Sequence, residues 1–522
     1  MEKLIRDILK ESKQKYSEIT AVKWLKKKEI LSKSYSELME QVTKVRKGLL
    51  AEGFQEKHIA LIGTSSVEWI ESYLGIITGK TVAVPLDAGL PAEDLIDLIN
   101  RSDSEALFLS PKNKSLLDGI LAECPKLKKI WLLQEEALEA SDEKVTSLAE
   151  LKAASENSGC DSDRPDPEDV ATIIFTSGTT GKSKGVMLTQ NNLASNVEAV
   201  NYTAEPGSVL LSVLPIHHAF CLVMDWLKGF SLGATVCIND SLLHMVKNMG
   251  VFKPDVMLMV PMMIETIYKR LAAADPSIPK KILADHVFGG NLKIIFTGGA
   301  HLDPYYIDRF AEYGVEVLEG YGMSECSPVI SSNTPEDHKA GSIGRPLSNV
   351  EIAFENGEIL VKGSSVMKGY YHMPEETAET LKDDWLHTGD KGYLDEDGFL
   401  YINGRVKNLI ILSNGENISP EEIENKLALG ALVGEVIVTG EDHGLTARIY
   451  PDQDVVAAKN LDEAAIQTGL QAFLDQYNKN QPTYRQITGL VVRKYPFIRN
   501  STKKIKRQEA LIDEPITAAA NQ

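Results

Sequence analysis

Short apolar runs alternate with helically spaced stretches along this chain, and that alternation constrains its fold more than any other feature. Residues 35–52 have helical spacing, residues 58–63 (HIALIG) read as a strand, and residues 67–78 are helical again. Residues 82–86 and 106–109 supply two further short apolar strands. Strands in this rhythm pair in parallel, because each crossover helix returns the chain to the same end of the sheet. After a polar connection at residues 155–168, the alternation resumes at residue 170 and continues to about residue 320. There LLSVLP, ATVCI, VMLMVP and KIIFTGG read as buried strands. From about residue 341 the texture changes to short strands with tight turns, and Asn356-Gly357 is a strong hairpin signal. A further α+β segment follows Arg405.

The predicted fold class is therefore α/β, in two parts. A large N-terminal domain spans residues 1–404, with βα-layered subdomains at about 1–160 and 170–335 and a small β-barrel-like subdomain at about 340–404. A small α+β C-terminal domain takes residues 405–522. A chain of 522 residues is too long for one ordinary core, which requires at least two domains in any case.

Composition excludes several classes of function. Hydrophobic residues make up 43% and charged residues 25%, ordinary for a globular protein. The net charge of −19 argues against general nucleic-acid or anionic-membrane binding, while leaving room for a local basic patch. Cys124, Cys160, Cys221, Cys237 and Cys326 are scattered and odd in number, so neither a disulfide framework nor a zinc site is expected. A reducing cytoplasmic setting fits that usage. The opening MEKLIRDILKESKQKY predicts an amphipathic helix and has no apolar signal-peptide core. No apolar run is long enough to span a bilayer, so a lipid-like substrate would be met from solution or at a membrane surface.

The strongest local motif is TSGTTGKSKG at residues 176–185, directly after the apolar strand ATIIF. Small residues and hydroxyls let backbone N–H groups close around phosphate oxygens, and Lys182 and Lys184 add positive charge. It is not a Walker A loop, because that pattern needs glycine where Thr176 stands. The phosphate-binding candidates are Thr176, Ser177, Gly178, Thr179, Thr180, Gly181, Lys182 and Lys184.

Further motifs follow in order: LPIHHAF (214–220), TGGAHLD (297–303), EGYGMSE (319–325), GSIGRP (341–346), WLHTGDKGYLDEDGFLYINGR (385–405), GENISPEEIE (415–424) and TKKIKR (502–507). With the phosphate loop, this set resembles the adenylate-forming superfamily over nearly the whole chain, and within it the bacterial acyl-CoA synthetases of the long-chain fatty acid–CoA ligase type.

The resemblance implies ATP, Mg²⁺ and coenzyme A as reactants or cofactors, and a C-terminal domain that moves between two half-reactions. It implies adenine and ribose contacts from Gly299, Ala300, Glu319, Gly320, Tyr321, Asp390 and Arg405. Tyr321 can stack on a purine, Asp390 can accept from both ribose hydroxyls, and Glu325 is a suitable hard ligand for Mg²⁺. Ser324 stands where the family has threonine and keeps the hydroxyl for the α-phosphate. Lys504 matches the catalytic lysine, although Lys503 beside it allows a slip of one. His218 and Gly322 correspond to the acid pocket, Lys407 to the hinge, and Gly415, Glu416 and Asn417 to the thiol channel.

Other features have plainer readings. Ser419, Pro420 and Glu422 are expected to start a helix through a capping box. The methionine-rich run at residues 256–265 reads as a buried strand, or more sharply as a flexible apolar wall for an acyl chain. Residues 485–507 hold eight basic side chains and no acidic one, which suits a solvated basic face, CoA phosphates or an acidic carrier protein. The acid itself, the oligomeric state and the acceptor stay open at this level. A CoA ligase, a stand-alone enzyme loading a carrier protein and a degenerate nucleotide-binding protein are the three readings.

Overall fold

The computed structural model describes residues 3–134, 142–157, 163–176, 183–411, 417–441, 444–499 and 505–512. The chain divides into two units, Met1–Ile352 with Val361–Leu386, and Ala353–Leu360 with His387–Gln522.

The first unit is built on two large sheets. Across the nine-stranded sheet the order is Arg345–Pro346, Val329–Ser332, Glu316–Gly322, Ile294–Thr297, Val256–Met259, Val209–Ser212, Thr235–Ile238, Thr20–Lys26 and Glu29–Ser34. From Glu316–Gly322 to Thr20–Lys26 every pairing is parallel. The eight-stranded sheet runs Gly369–Tyr370, Lys184–Thr189, Val170–Thr176, Val82–Leu86, His58–Ile62, Ser104–Leu109, Lys129–Leu132 and Val145–Ser147. Its inner strands are apolar at nearly every position because both faces are covered, and Val82–Leu86 is buried throughout. Ala60, Ile62, Val84, Leu107 and Ile130 pack there with Leu95, Leu98 and Ile99 of the helix Ala92–Arg101.

Helix boundaries follow local chemistry. Tyr35–Ala51 begins at a capping box between Ser34 and Glu37 and buries Leu38, Met39, Val42, Val45 and Leu49. The methionine-rich run is divided: the strand Val256–Met259 ends, and Pro261 opens a helix that carries Met262 and Met263. Proline at the first helical position explains why the strand reading fails after Met259. The polar connection is not wholly at the surface either. Asp163 is buried and pairs with Arg46 at 2.5 Å and with Arg6 at 3.4 Å.

In the second unit Asn356 and Gly357 both have positive φ, 52° and 80°, as the hairpin signal requires. The strand Trp385–Leu394 passes into this unit and pairs antiparallel with Leu400–Arg405. Beyond it, Val433–Glu441, Gly444–Pro451 and Ile487–Val492 form a three-stranded sheet. Ile423, Leu427, Val436, Val438, Ala447, Leu470 and Leu474 fill its core with the helices Pro420–Leu427 and Glu463–Asn478.

Two expectations change in this unit. Pro420 does open its helix, but Ser419 makes no side-chain cap; its hydroxyl donates to Glu421 Oε2 at 3.0 Å. The arginines of the basic stretch are spent internally. Arg485 pairs with Glu422, Arg499 with Glu435 at 2.9 Å, and Arg507 with Glu424 at 2.5 Å. Arg493 is buried and donates to the carbonyl of Ala510 at 2.7 Å. Arg485, Arg499 and Arg507 thus find acidic partners far along the chain.

Candidate active site

Parallel strands place their following loops at one sheet edge, where open α/β sheets bind ligands. The strands Val209–Ser212, Val256–Met259, Ile294–Thr297 and Glu316–Gly322 do this, and His218, Gly299, Ala300, Ser324 and Glu325 all lie in the loops that follow them. Tyr321 falls inside its strand rather than beyond it, since Gly320–Gly322 pair back onto Val329–Ser332. Gly322 serves that close pairing: a Cβ there would sit 2.0 Å from the carbonyl oxygen of Pro328. Gly299 has φ +84° with open space around it, so a turn is what requires glycine there.

Glu319 stands opposite Thr297 in the parallel register. Its carboxyl is buried, and burial pushes its pKa up to about 8 against the opposing hydrogen bond from the Leu302 amide. Glu319 Oε2 and Thr297 Oγ1 are both buried without a hydrogen-bond partner among the described residues. Two such groups beside the Gly299–Ala300 turn are consistent with a polar ligand completing them.

Glu325 is buried on the one-turn segment Ser324–Cys326, while Ser324 is half-buried. The Glu325 carboxylate accepts from the Tyr370 hydroxyl at 2.9 Å, and its carbonyl accepts from the Met367 amide at 2.8 Å. Tyr370 belongs to the edge strand that pairs with Lys184–Thr189, so this bond joins one sheet to the other. Lys184 Nζ lies 4.8 Å from the centre of the same ring, a cation–π contact. Thr176 and Lys184 face each other as register partners in the antiparallel pair of Val170–Thr176 with Lys184–Thr189. Ser177, Gly178, Thr179, Thr180, Gly181 and Lys182 lie outside the described residues. Tyr370 was not found from the sequence, because only the pairing of a two-residue strand brings it to Glu325.

His218 stands in the loop after Val209–Ser212, its ring 4.3 Å from that of His217. His217 Nε2 is 3.6 Å from Asp87 Oδ2, at the end of the strand Val82–Leu86. Burial lowers the His217 pKa while Asp87 opposes it.

In the second unit Asp390 and Arg405 are register partners, and Arg405 Nε donates to Asp390 Oδ1 at 2.6 Å. The expected ribose acid and the expected nucleotide arginine are therefore one ion pair. Thr388 Oγ1 accepts from the Asp390 amide at 3.1 Å and Glu358 accepts from the Gly389 amide at 2.9 Å, which fixes the turn before it. Lys407 is exposed on the segment Val406–Asn408, whose Asn408 donates to Glu421 at 2.6 Å. Asn417 pairs through its backbone with Ile411, whereas Gly415 and Glu416 lie outside the described residues. Lys504 lies outside them too; the chain on either side is joined by an antiparallel bridge between Arg499 and Ile505.

Two family models match this chain. Residues 9–371 match the AMP-binding enzyme family, and residues 407–513 match the AMP-binding enzyme C-terminal domain. The chain is 30% identical to long-chain-fatty-acid–CoA ligase 5 of Mus musculus, covering 86% of this chain and 74% of that protein. It is 27% identical to long-chain-fatty-acid–CoA ligase FadD15 of Mycobacterium tuberculosis, covering 78% and 75% respectively. Among solved structures, ATP-bound MatB from Rhodopseudomonas palustris superimposes with a TM-score of 0.78 at 26% identity, covering 96% of this chain and 97% of that one. The anthranilate CoA ligase AuaEII with anthranoyl-AMP gives 0.82 at 20% identity, covering 97% and 96%, a likeness of fold.

Proposed function

Because the chain belongs to the AMP-binding enzyme family, as an AMP-forming acid–thiol ligase, we propose that it activates a fatty or other apolar acid and passes the acyl group to coenzyme A. The observation that carries the apolar reading is at the sheet edge. Met257 and Met259 are buried on the strand next to the one leading to His218, and Met262 and Met263 open the helix that follows. Unbranched, polarizable side chains of this kind accommodate flexible acyl chains. Similarity to long-chain-fatty-acid ligases supports the same class.

A carboxylate is a poor electrophile, so its oxygen attacks the α-phosphorus of ATP. The bond to pyrophosphate breaks and a mixed anhydride forms. Negative charge gathers at phosphorus, so fixed cations and N–H groups supply most of the acceleration. In this reading Lys504 bridges the carboxylate and the α-phosphate, and Ser324 donates its hydroxyl to the same phosphate. Residues 176–184 hold the departing pyrophosphate. Tyr321 stacks on adenine, and Asp390, oriented by Arg405, accepts from the ribose.

Glu325 fits one Mg²⁺: it is a buried carboxylate, and one oxygen is already fixed by Tyr370. No cluster of three ligating side chains exists among the described residues, so phosphate oxygens and water would complete the shell. When bound, Mg²⁺ supplies positive charge to the phosphates. In the second step a pantetheine thiol attacks the acyl carbonyl carbon and the bond to AMP breaks. Rotation about Lys407 would withdraw Lys504 and present Gly415, Glu416 and Asn417.

Thioester formation with acids of graded chain length tests the assignment, with CoA and a phosphopantetheinylated carrier protein as rival acceptors. Turnover of long apolar acids with CoA is expected. Preference for a carrier, or for short polar acids, would replace the reading.

A further inference from the structure

Between the strand Thr235–Ile238 and the helix Met245–Phe252 the chain makes one 3₁₀ turn, Leu242–His244. Leu243 is 94% exposed and Leu242 44%. A single exposed leucine is ordinary, but this turn is held by a polar scaffold. Buried Asn248 donates to Asn239 Oδ1 at 2.7 Å and to Asp240 Oδ1 at 2.8 Å. Asn239 donates to the Ser241 carbonyl at 2.8 Å, and Ser241 Oγ accepts from the Leu243 amide at 3.3 Å. His244 Nδ1 sits 2.8 Å from Asp240 Oδ2. The network fixes a conformation whose outcome is two leucines in water.

The same exposed face continues at i+4 spacing through Lys247 and Val251. The helix Lys280–Phe288 packs against Met245–Phe252 and brings exposed Lys281 and Ile282, the latter 60% exposed. Residues 239–293 carry seven lysines and arginines against five carboxylates, in a chain of net charge −19. The turn also follows the strand beside Val209–Ser212, so it shares a sheet edge with His218.

We propose that the Leu242–Leu243 turn is a docking wedge that inserts into the surface of an anionic lipid bilayer. Apolar side chains flanked by lysines are the chemistry that such an interface takes up. The leucines enter the acyl boundary, and Lys247 and Lys281 meet the headgroup charge. Docking at this edge would present the acid-binding side of the sheet to the bilayer. The proposal goes beyond the acid assignment, because it concerns binding to the bilayer itself.

Flotation of the full-length protein with vesicles tests it with no acid, ATP or CoA present, so failure here is distinct from failure of the acid assignment. The vesicles are phosphatidylcholine alone, or phosphatidylcholine with about one quarter phosphatidylglycerol. The wild type is expected to float with the anionic vesicles, and L242S/L243S to lose roughly ten-fold or more of that partitioning. K247E/K281E and raised salt should weaken the anionic preference. L429S/L511S, at exposed leucines of the second unit, should float like the wild type. The proposal fails if the wild type does not float, or if L242S/L243S floats equally. It also fails if sedimentation finds a dimer that L242S/L243S converts to a monomer without any flotation, since the face would then join two copies.

Discussion

The hydroxyl of Tyr370 donates to Glu325 across 2.9 Å while Lys184 rests against the face of the same ring. One tyrosine thus ties the strand Lys184–Thr189 to the carboxylate proposed to hold Mg²⁺. Burial, and then the Glu325 charge, push the Tyr370 pKa up, so the phenol stays a donor over the working pH range.

Tyr370→Phe keeps the ring and removes the donor, leaving a buried carboxylate oxygen without its partner. A hydrogen bond to a buried charged group contributes about 1.5–3 kcal/mol. Adenylation should slow by roughly ten-fold or more, with a raised Mg²⁺ requirement. Steady-state rates titrated with Mg²⁺ read both effects, and an unchanged Mg²⁺ dependence would detach Tyr370 from the metal.

Lys504→Ala should abolish formation of the acyl-adenylate yet leave synthetic acyl-AMP able to react with CoA. Single-turnover assays of the two half-reactions separate the outcomes. Equal loss in both would mean that the lysine is misassigned, with Lys503 the next candidate, or that the two-conformation scheme is wrong.

Asp390→Asn preserves shape but removes the charge that Arg405 binds at 2.6 Å. Loss of charge-assisted hydrogen bonds to ribose and arginine together should raise KM for ATP roughly ten-fold or more, with KM for the acid little changed. A parallel rise in both constants would indicate a structural rather than a nucleotide role.

Asp225 is fully buried on the π-helical segment Cys221–Lys228 and accepts from Ser212 at 2.7 Å. Burial pushes its carboxyl up to about 7, against the hydrogen bonds from Ser212 and Cys221. An unfolded aspartate titrates near 4, so between about pH 4 and pH 7 the folded chain binds the extra proton. Stability from this group therefore falls as pH rises through that window, and the full cost is present above it. Asp225→Asn keeps an acceptor for Ser212 without a charge to bury. Its advantage over the wild type should grow by roughly 2–3 kcal/mol between pH 5 and pH 8. Denaturant melts at the two pH values check this, and an equal difference at both would exclude the carboxyl as the cause.

Much of the fold was legible because buried parallel strands are short apolar runs. Val82–Leu86 matches its expected limits, and His58–Ile62 ends one residue early. Local backbone demands were legible too, as at Asn356-Gly357 and Pro420. Relationships set by tertiary pairing were not. Tyr370 reaches Glu325 only through a two-residue strand, and buried Glu319 meets the Leu302 amide from a separate segment of the chain. Arg485, Arg499 and Arg507 look like an unpaired basic run until folding brings Glu422, Glu435 and Glu424 beside them. Ser419 had the right residue types for a capping box, yet Glu421 captured its hydroxyl instead.

The most direct test of carboxylate activation is pyrophosphate release from ATP and Mg²⁺ with no thiol present, measured across a panel of acids. The expected result is release that depends on an apolar acid, stops near one equivalent per enzyme, and turns over only when CoA is added. Release with no acid in the panel, or release that ignores which acid is supplied, would contradict it.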